Sequence, residues 1–443
     1  MKICILGGGL SAVSLAYFLQ GNPQIEQIDI FEKDEVLGGL CRSFKIEGIY
    51  HDIGPHIIFS KDKEVLNLMT DLLGKNINKL RRSNKIFYKG RFIKYPFENE
   101  LSALPEKDKE FCLNTFLYNG YENYKVSNML QFFLKTFGEG ITNTYLRPYN
   151  EKIWKFDPSF IDTQMVERIP KPPREDILRS ANGIATEGYL HQLYFYYPKE
   201  GGINSLIKCF ANKFNKKVNI FVNSSVIGLL RIKNKWKMET EKETFGEYDS
   251  IVSTIPVQLL VKIYRTNIPE EIIKAVNDLK YNSIIITIVN VKKDNLGNNF
   301  AIMVPNKDII FHRVSKLNFL GDNYCKKGGS STLMVEVTYR KDSIVDKMTN
   351  EDIKAKIFNG LDGLKFIDKK EDVNFIESRR FEYAYVIYDL NHRKNIDLIK
   401  NYFNNQEIKL CGRFGEFEYL NMDAVIKHSE VLACKIQRAL LKI

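Results

Sequence analysis

Two glycines and an alanine near the start of the chain, spaced as Gly7-x-Gly9-x-x-Ala12, are of the types that receive the pyrophosphate of a dinucleotide. Gly7 permits a tight turn, Gly9 leaves bare backbone for a phosphate to approach, and Ala12 lets the next helix pack closely on its strand. The free N–H groups at the start of that helix then face the anion. Glu32 stands 20 residues beyond Ala12, where a carboxylate can hold ribose hydroxyls. A further glycine pair, Gly38-Gly39, comes next, and a hairpin-like stretch leads from it to Asp52-Ile53-Gly54-Pro55-His56. No metal chemistry is legible: the six histidines and seven cysteines are dispersed, without a CxxC pair or the ligand spacing of a zinc site. The odd, scattered cysteines argue for reduced thiols.

The elements needed to position these residues can be read from apolar periodicity. Residues 2–6 predict a short buried strand, residues 10–20 a helix stopped by Gly21, and residues 27–31 a second strand, which together make the unit a dinucleotide-binding fold requires. Residues 100–190 read as mostly helical, with a clear helix at 126–137. Strands are predicted at 218–230, 250–255, 283–291, 309–314, 333–337 and 408–411, and a final helix at 422–441. There is no internal repeat and no low-complexity linker, so the units interleave. The fold class that follows is α/β: a Rossmann-like dinucleotide domain (1–80, 201–275, 401–443), an inserted helical substrate domain (81–200) and a mixed β-sheet domain (276–400).

Bulk properties agree with a large folded enzyme. At 443 residues the chain exceeds what one core serves, and 44% hydrophobic with 27% charged residues excludes a disordered chain. No apolar run approaches the roughly 18 to 20 residues of a membrane span, and the start runs straight into the glycines without a cleavable signal, which predicts a cytoplasmic protein. The charge of +11 is spread along the chain without a basic tail, so it reads as a solvated lysine-rich surface and not as a nucleic-acid site. Nothing in the residues sets an oligomeric state.

The run from Glu32 through Gly38-Gly39 to Gly54 resembles the two-part signature of the flavin amine oxidase superfamily, in which the second glycine pair also lies along the cofactor. That resemblance implies FAD rather than NAD. It also likens residues 218–227 to the strand whose backbone passes the adenine, at Val226, and residues 251–256 to the return into the dinucleotide domain.

Within the superfamily the chain resembles the UDP-galactopyranose mutases, the eukaryotic type in particular. GPHIIFS (54–60) is similar to that family's glycine-histidine loop at the flavin ring, and GRFIKYPFENELSALP (90–105) to its tyrosine-proline-phenylalanine segment at the nucleotide base. LRPYNEKIW (146–154) and VERIP (166–170) resemble the helix lining the sugar site and its phosphate-binding arginine; YPKEGG (197–202), RRFEYAY (379–385) and GRFGEFEY (412–419) follow in the same order. The resemblance implies a mutase that interconverts pyranose and furanose forms of a nucleoside-diphosphate sugar, N5 of reduced FAD attacking the anomeric carbon, with NAD(P)H or another reductant as partner. Arg168 and Arg313 would clamp the diphosphate, since guanidinium forks match phosphate oxygens. Tyr385 and Tyr419 would offer it hydroxyls, Tyr95 would meet the base, and Asn150 and Trp154 would shape the sugar pocket. His56 would tune the flavin, and Arg413 and the helix start at Met422 would approach the isoalloxazine.

Three residues depart from the family. Glu98 replaces a glutamine that contacts uracil; a carboxylate accepts hydrogen bonds and cannot donate, which favours a base with an exposed amino group over uracil. Asn421 replaces an acidic residue of the bacterial members, and Tyr281-Asn282 stands where those members carry an arginine directly after the tyrosine. A competing class is an FAD-dependent oxidoreductase of the amine oxidase or protoporphyrinogen oxidase type, and a third is a flavoprotein that only binds; neither needs a diphosphate clamp.

Overall fold

The computed structural model describes residues 1–166, 169, 172–187, 193–326, 328–368 and 372–441. In the strand Lys2–Leu6 every residue after the first is buried, the unbroken apolar run of a parallel strand covered on both faces. It lies at the centre of a five-stranded parallel sheet ordered Ile408–Leu410, Ser250–Ser253, Lys2–Leu6, Gln27–Phe31, Val218–Phe221. The architecture is therefore α/β with a Rossmann-like sheet assembled from distant parts of the chain. The helix Leu10–Leu19 covers this sheet together with the C-terminal helix Met422–Leu440. Ser429 Oγ donates to the Ser11 carbonyl at 3.1 Å and Gln437 Nε2 to the Phe18 carbonyl at 3.0 Å, which locks the two helices together. Ile3, Ile5, Ala12, Leu15 and Ala16 share a core with Ala433 and Ile436.

A second, mixed sheet of seven strands runs Val373–Ile387, Lys280–Val291, Ser331–Tyr339, Arg313–Lys316, Ala301–Met303, Asn84–Tyr88, Arg91–Lys94. Only the Ala301–Met303 and Asn84–Tyr88 pair is parallel; the rest are antiparallel. The hairpin Asn84–Lys94 adds to the edge of this sheet, and the chain passes from it into the helices Glu106–Leu117, Met129–Ile141, Arg147–Trp154 and Arg174–Ala181. No helix among the described residues is long and apolar enough to cross a membrane.

Four elements differ from their sequence expectation: the strand expected at 218–230 breaks into Val218–Phe221, at the edge of the parallel sheet, and Val226–Ile232, in a separate three-stranded sheet. The helix expected at 126–137 is Met129–Ile141, because the Asn128 side chain accepts the Gln131 N–H at 2.9 Å and caps the start three residues late. Its far end continues through Gly138 at φ 74°, where a Cβ would come within 2.3 Å of the Thr115 carbonyl of the neighbouring helix. The strand expected at 309–314 begins only at Arg313; Ile309 N–H bonds back to the Asn306 carbonyl, so its apolar residues lie in a turn packed on the second core. The strand Val373–Ile387 was anticipated only as a motif at 379–385. It is an edge strand with one face in solvent, and its interspersed charges disguise the alternation.

Candidate active site

The glycine turn closes on itself through local hydrogen bonds. Gly7, at φ 90°, donates to the Phe31 carbonyl at 2.8 Å, Gly8 N–H donates to Glu32 Oε2 at 2.8 Å, and Gly38 N–H donates to the Gly8 carbonyl at 2.9 Å. The two glycine segments touch: a Cβ on Gly39 would stand 3.2 Å from the Gly9 Cα. Gly9 caps the helix Leu10–Leu19 without any side-chain bond to its first turn, and that turn holds no acidic residue, so its N–H groups are available to an anion. Ala12 is buried beneath it. Glu32 spends its other oxygen on the Asp34 N–H at 3.0 Å, and Ser224 N–H bonds the Glu32 carbonyl, which brings the start of the strand Val226–Ile232 to the same end of the sheet.

The loop after Ile408–Leu410 arrives from the other side. Gly412, at φ 88°, packs so tightly on the first helix that a Cβ would meet Ser11 Oγ at 2.0 Å. Arg413 then staples the loop: its guanidinium donates to the Leu420 carbonyl through Nε at 2.8 Å and to the Ala384 carbonyl through Nη1 at 3.2 Å. Met422 opens the last helix, and its cap Asn421 makes no side-chain bond to the first turn. The start of the first helix, without a side-chain cap or an acidic residue and flanked by the Gly9–Gly39 contact, fits the phosphates of a dinucleotide.

A cavity of about 250 Å³ is lined by Gly54, His56, Arg313, Tyr385, Arg413, Tyr419 and Asn421. His56 Nδ1 lies 3.1 Å from the Gly54 carbonyl, which can only accept, so Nδ1 carries the proton and Nε2 is left as an acceptor. Burial, then Arg413, push its pKa down to about 4, and the ring is neutral at physiological pH. Arg313 forms a two-pronged ion pair with the fully buried Glu336. Burial works against the charge on Arg313, but Glu336 outweighs it and holds the guanidinium protonated. Burial raises the Tyr385 phenol above its ordinary range, so it stays a donor. Tyr385 and Tyr419 stack with ring centroids 6.0 Å apart, and the Trp154 indole braces both edge-on at 5.8 and 5.7 Å. Arg82, Asn84 and Tyr95 are shared with a larger cavity of about 690 Å³, whose wall adds Arg81, Lys85, Lys94, Pro96 and Glu187.

Residues 9–393 match the model of the flavin containing amine oxidoreductase family. The chain belongs to that family. UDP-galactopyranose mutase of Mycoplasma genitalium is 26% identical over 242 residues, which span 50% of this chain and only 55% of that protein. Coproporphyrinogen III oxidase of Staphylococcus aureus is 20% identical over 98% of both chains. Among solved structures, a reduced UDP-galactopyranose mutase superposes with a TM-score of 0.89 at 23% identity, covering 100% of this chain and 95% of that one; at that identity the likeness is one of fold.

Against this flavoenzyme frame, the residues singled out in the sequence divide into groups. His56, Gly54, Arg313, Tyr385, Tyr419 and Arg413 line one cavity, and Tyr95 joins it to the next. Trp154 and Asn150 line neither: Asn150 Nδ2 donates to the Leu146 carbonyl at 2.7 Å and its Oδ1 accepts Trp154 Nε1–H at 2.8 Å, so the pair supports the tyrosines from behind. Glu98 is buried at 6% exposure and also lines neither. Arg168 lies outside the described residues. Asn282, at the position of the bacterial arginine, caps the helix Arg147–Trp154 by donating to the Ile153 and Trp154 carbonyls at 3.0 and 2.8 Å. Sequence reading missed Arg82, whose guanidinium lies 5.2 Å from the Phe59 ring centroid, and Glu336. The signal for Glu336 was present, as a single charge inside the apolar run Leu333–Val337.

Proposed function

We propose that this chain is a flavin-dependent mutase that interconverts pyranose and furanose forms of a nucleoside-diphosphate sugar, active with FAD in its reduced form. The observation that carries the reading is the convergence of Arg313, Tyr385 and Tyr419 on one cavity with the Gly54–His56 loop. Guanidinium and phenol donors grouped in this way suit a leaving diphosphate, and an oxidase of amines, whose substrates are cations, has no use for them. Similarity to proteins named UDP-galactopyranose mutase supports the same reading.

When bound, reduced FAD supplies the nucleophilic and electron-rich chemistry, and the side chains bind, orient and exclude water. Tyr385 and Tyr419 donate to diphosphate oxygens, Arg313 offers its remaining N–H groups, and Arg168 adds a second guanidinium from the segment that resembles the family. Neutral His56 holds its loop at the flavin through Gly54 and keeps an acceptor nitrogen for it. The wider cavity, with Tyr95 and Pro96 on its wall, takes the nucleotide, and its arginines and lysines suit the same anion. NAD(P)H or a comparable donor reduces the cofactor.

A porphyrinogen oxidase is the second reading, favoured by the full-length likeness to coproporphyrinogen III oxidase. Titrating flavin-loaded, reduced protein with UDP, GDP, CDP and dTDP separates the two. The mutase reading expects saturable binding of at least one, competed by inorganic pyrophosphate. Binding of none, with peroxide released on addition of a porphyrinogen, would establish the oxidase.

A further inference from the structure

We propose that Glu336 is a positioning residue that sets the Arg313 guanidinium for an anionic ligand in the cavity. The proposal rests on the cavity taking a diphosphate, as in the function above, and not on the sugar chemistry. Arg313 and Glu336 are directly opposed in the antiparallel ladder between Arg313–Lys316 and Ser331–Tyr339, so their side chains leave the same face of the sheet. Arg313 Nε donates to Oε1 at 2.5 Å and Nη2 to Oε2 at 2.6 Å. Two parallel bonds fix the guanidinium plane, which an ion pair through one atom does not do. Nη1 makes no hydrogen bond to a described residue and is the donor left for a ligand.

Among the described residues Arg313 is the side-chain partner of Glu336. The glutamate is 0% exposed in a strand whose neighbours Met334, Val335 and Val337 are apolar and equally buried, a place where an unpaired carboxylate is strongly disfavoured. The pair also lies under the His56 loop: a Cβ on Gly54 would stand 3.2 Å from Glu336 Oε2 and 3.9 Å from Arg313 Nη2. Arginine and glutamate are net neutral together, so Arg313 acts as an aimed donor more than as a free cation, and its aim depends on Glu336.

The test is calorimetric binding of UDP and of inorganic pyrophosphate to flavin-loaded wild type, Glu336→Gln, Glu336→Asp, Arg313→Met and the Arg313→Met/Glu336→Gln double variant. Glu336→Gln should weaken both probes by about tenfold to a hundredfold, because the amide NH2 cannot accept from the guanidinium, so one of the two fixing bonds is lost and the other loses its charge. Glu336→Asp, which keeps the charge, should recover part of the loss. The double variant should bind no more weakly than Arg313→Met, since without the arginine there is nothing left to aim. Should a single truncation fail to fold, Glu336→Asp still tests the proposal: it keeps both charges but draws the carboxylate back from the guanidinium, and it should bind both probes more weakly than wild type. Wild-type affinity in Glu336→Gln, losses that multiply in the double variant, or a wild type that binds neither probe would each overturn the proposal. A wild type that binds both probes with the expected coupling but isomerises no sugar would uphold it and sink the mutase reading instead.

Discussion

Glu98 is enclosed where, among the described residues, its carboxylate is supported only by its own backbone N–H, and burial lifts its pKa from 4.5 to about 7. The folded chain thus binds a proton that the unfolded chain has already lost. Stability from this group is complete below about pH 4.5 and is lost as pH rises to about 7, an effect of roughly 3 kcal/mol at most. Glu98→Gln should therefore match wild type in urea unfolding at about pH 4 and exceed it at about pH 8, by up to roughly 3 kcal/mol. A variant no more stable than wild type at the higher pH would show the carboxylate to be solvated or paired, as it would be in the base-contacting role the sequence suggested. His56 shifts the opposite way. Its pKa of about 4 keeps the ring neutral, so ¹⁵N NMR across about pH 5 to 8 should show no titration of the signal lost in His56→Gln. A midpoint near 6.5 would mean that the loop is open to water.

At the scale of elements, what was legible in the sequence is what is local. The strand, glycine turn, helix and strand from Lys2 to Phe31 could be read because the bonds that close the turn, Gly7 N–H to the Phe31 carbonyl and Gly8 N–H to Glu32, join residues of one short segment. The cap at Asn128 and the edge strand Val373–Ile387 were obscured by ordinary ambiguity of caps and charged alternation. Glu336 stands out as a lone charge in an apolar run, but its role, like that of Arg82, arises from sheet pairing and cavity closure between segments that no spacing rule connects. Asn282 makes the same point, since only the structure shows it holding the end of the helix that braces Tyr385 and Tyr419. Installing the bacterial arginine there is accordingly harmful. Asn282→Arg removes two buried hydrogen bonds and must bury a guanidinium, so it should destabilise by on the order of 3 kcal/mol and weaken nucleotide binding. A thermal midpoint at or above wild type, with tighter UDP binding, would show that the site accepts a bacterial-style clamp.

For the whole molecule, the parallel sheet presents its glycine turn, the start of the last helix and the Gly412 loop at one end, and the mixed sheet sets Arg313 and Tyr385 opposite. A flavin held between the two sheets would face a diphosphate held by the second, making the two sheets one reactive unit. The measurement that bears most directly on it is anaerobic turnover. Flavin-loaded protein, oxidised or reduced with dithionite, is incubated with UDP-, GDP-, CDP- and dTDP-sugars, and pyranose and furanose forms are separated by chromatography while the flavin spectrum is followed. Interconversion of at least one nucleotide sugar by the reduced protein alone is expected, over many turnovers and with no net loss of reductant. Reduced protein that leaves every sugar unchanged, or that consumes reductant in step with product, would contradict the mutase reading.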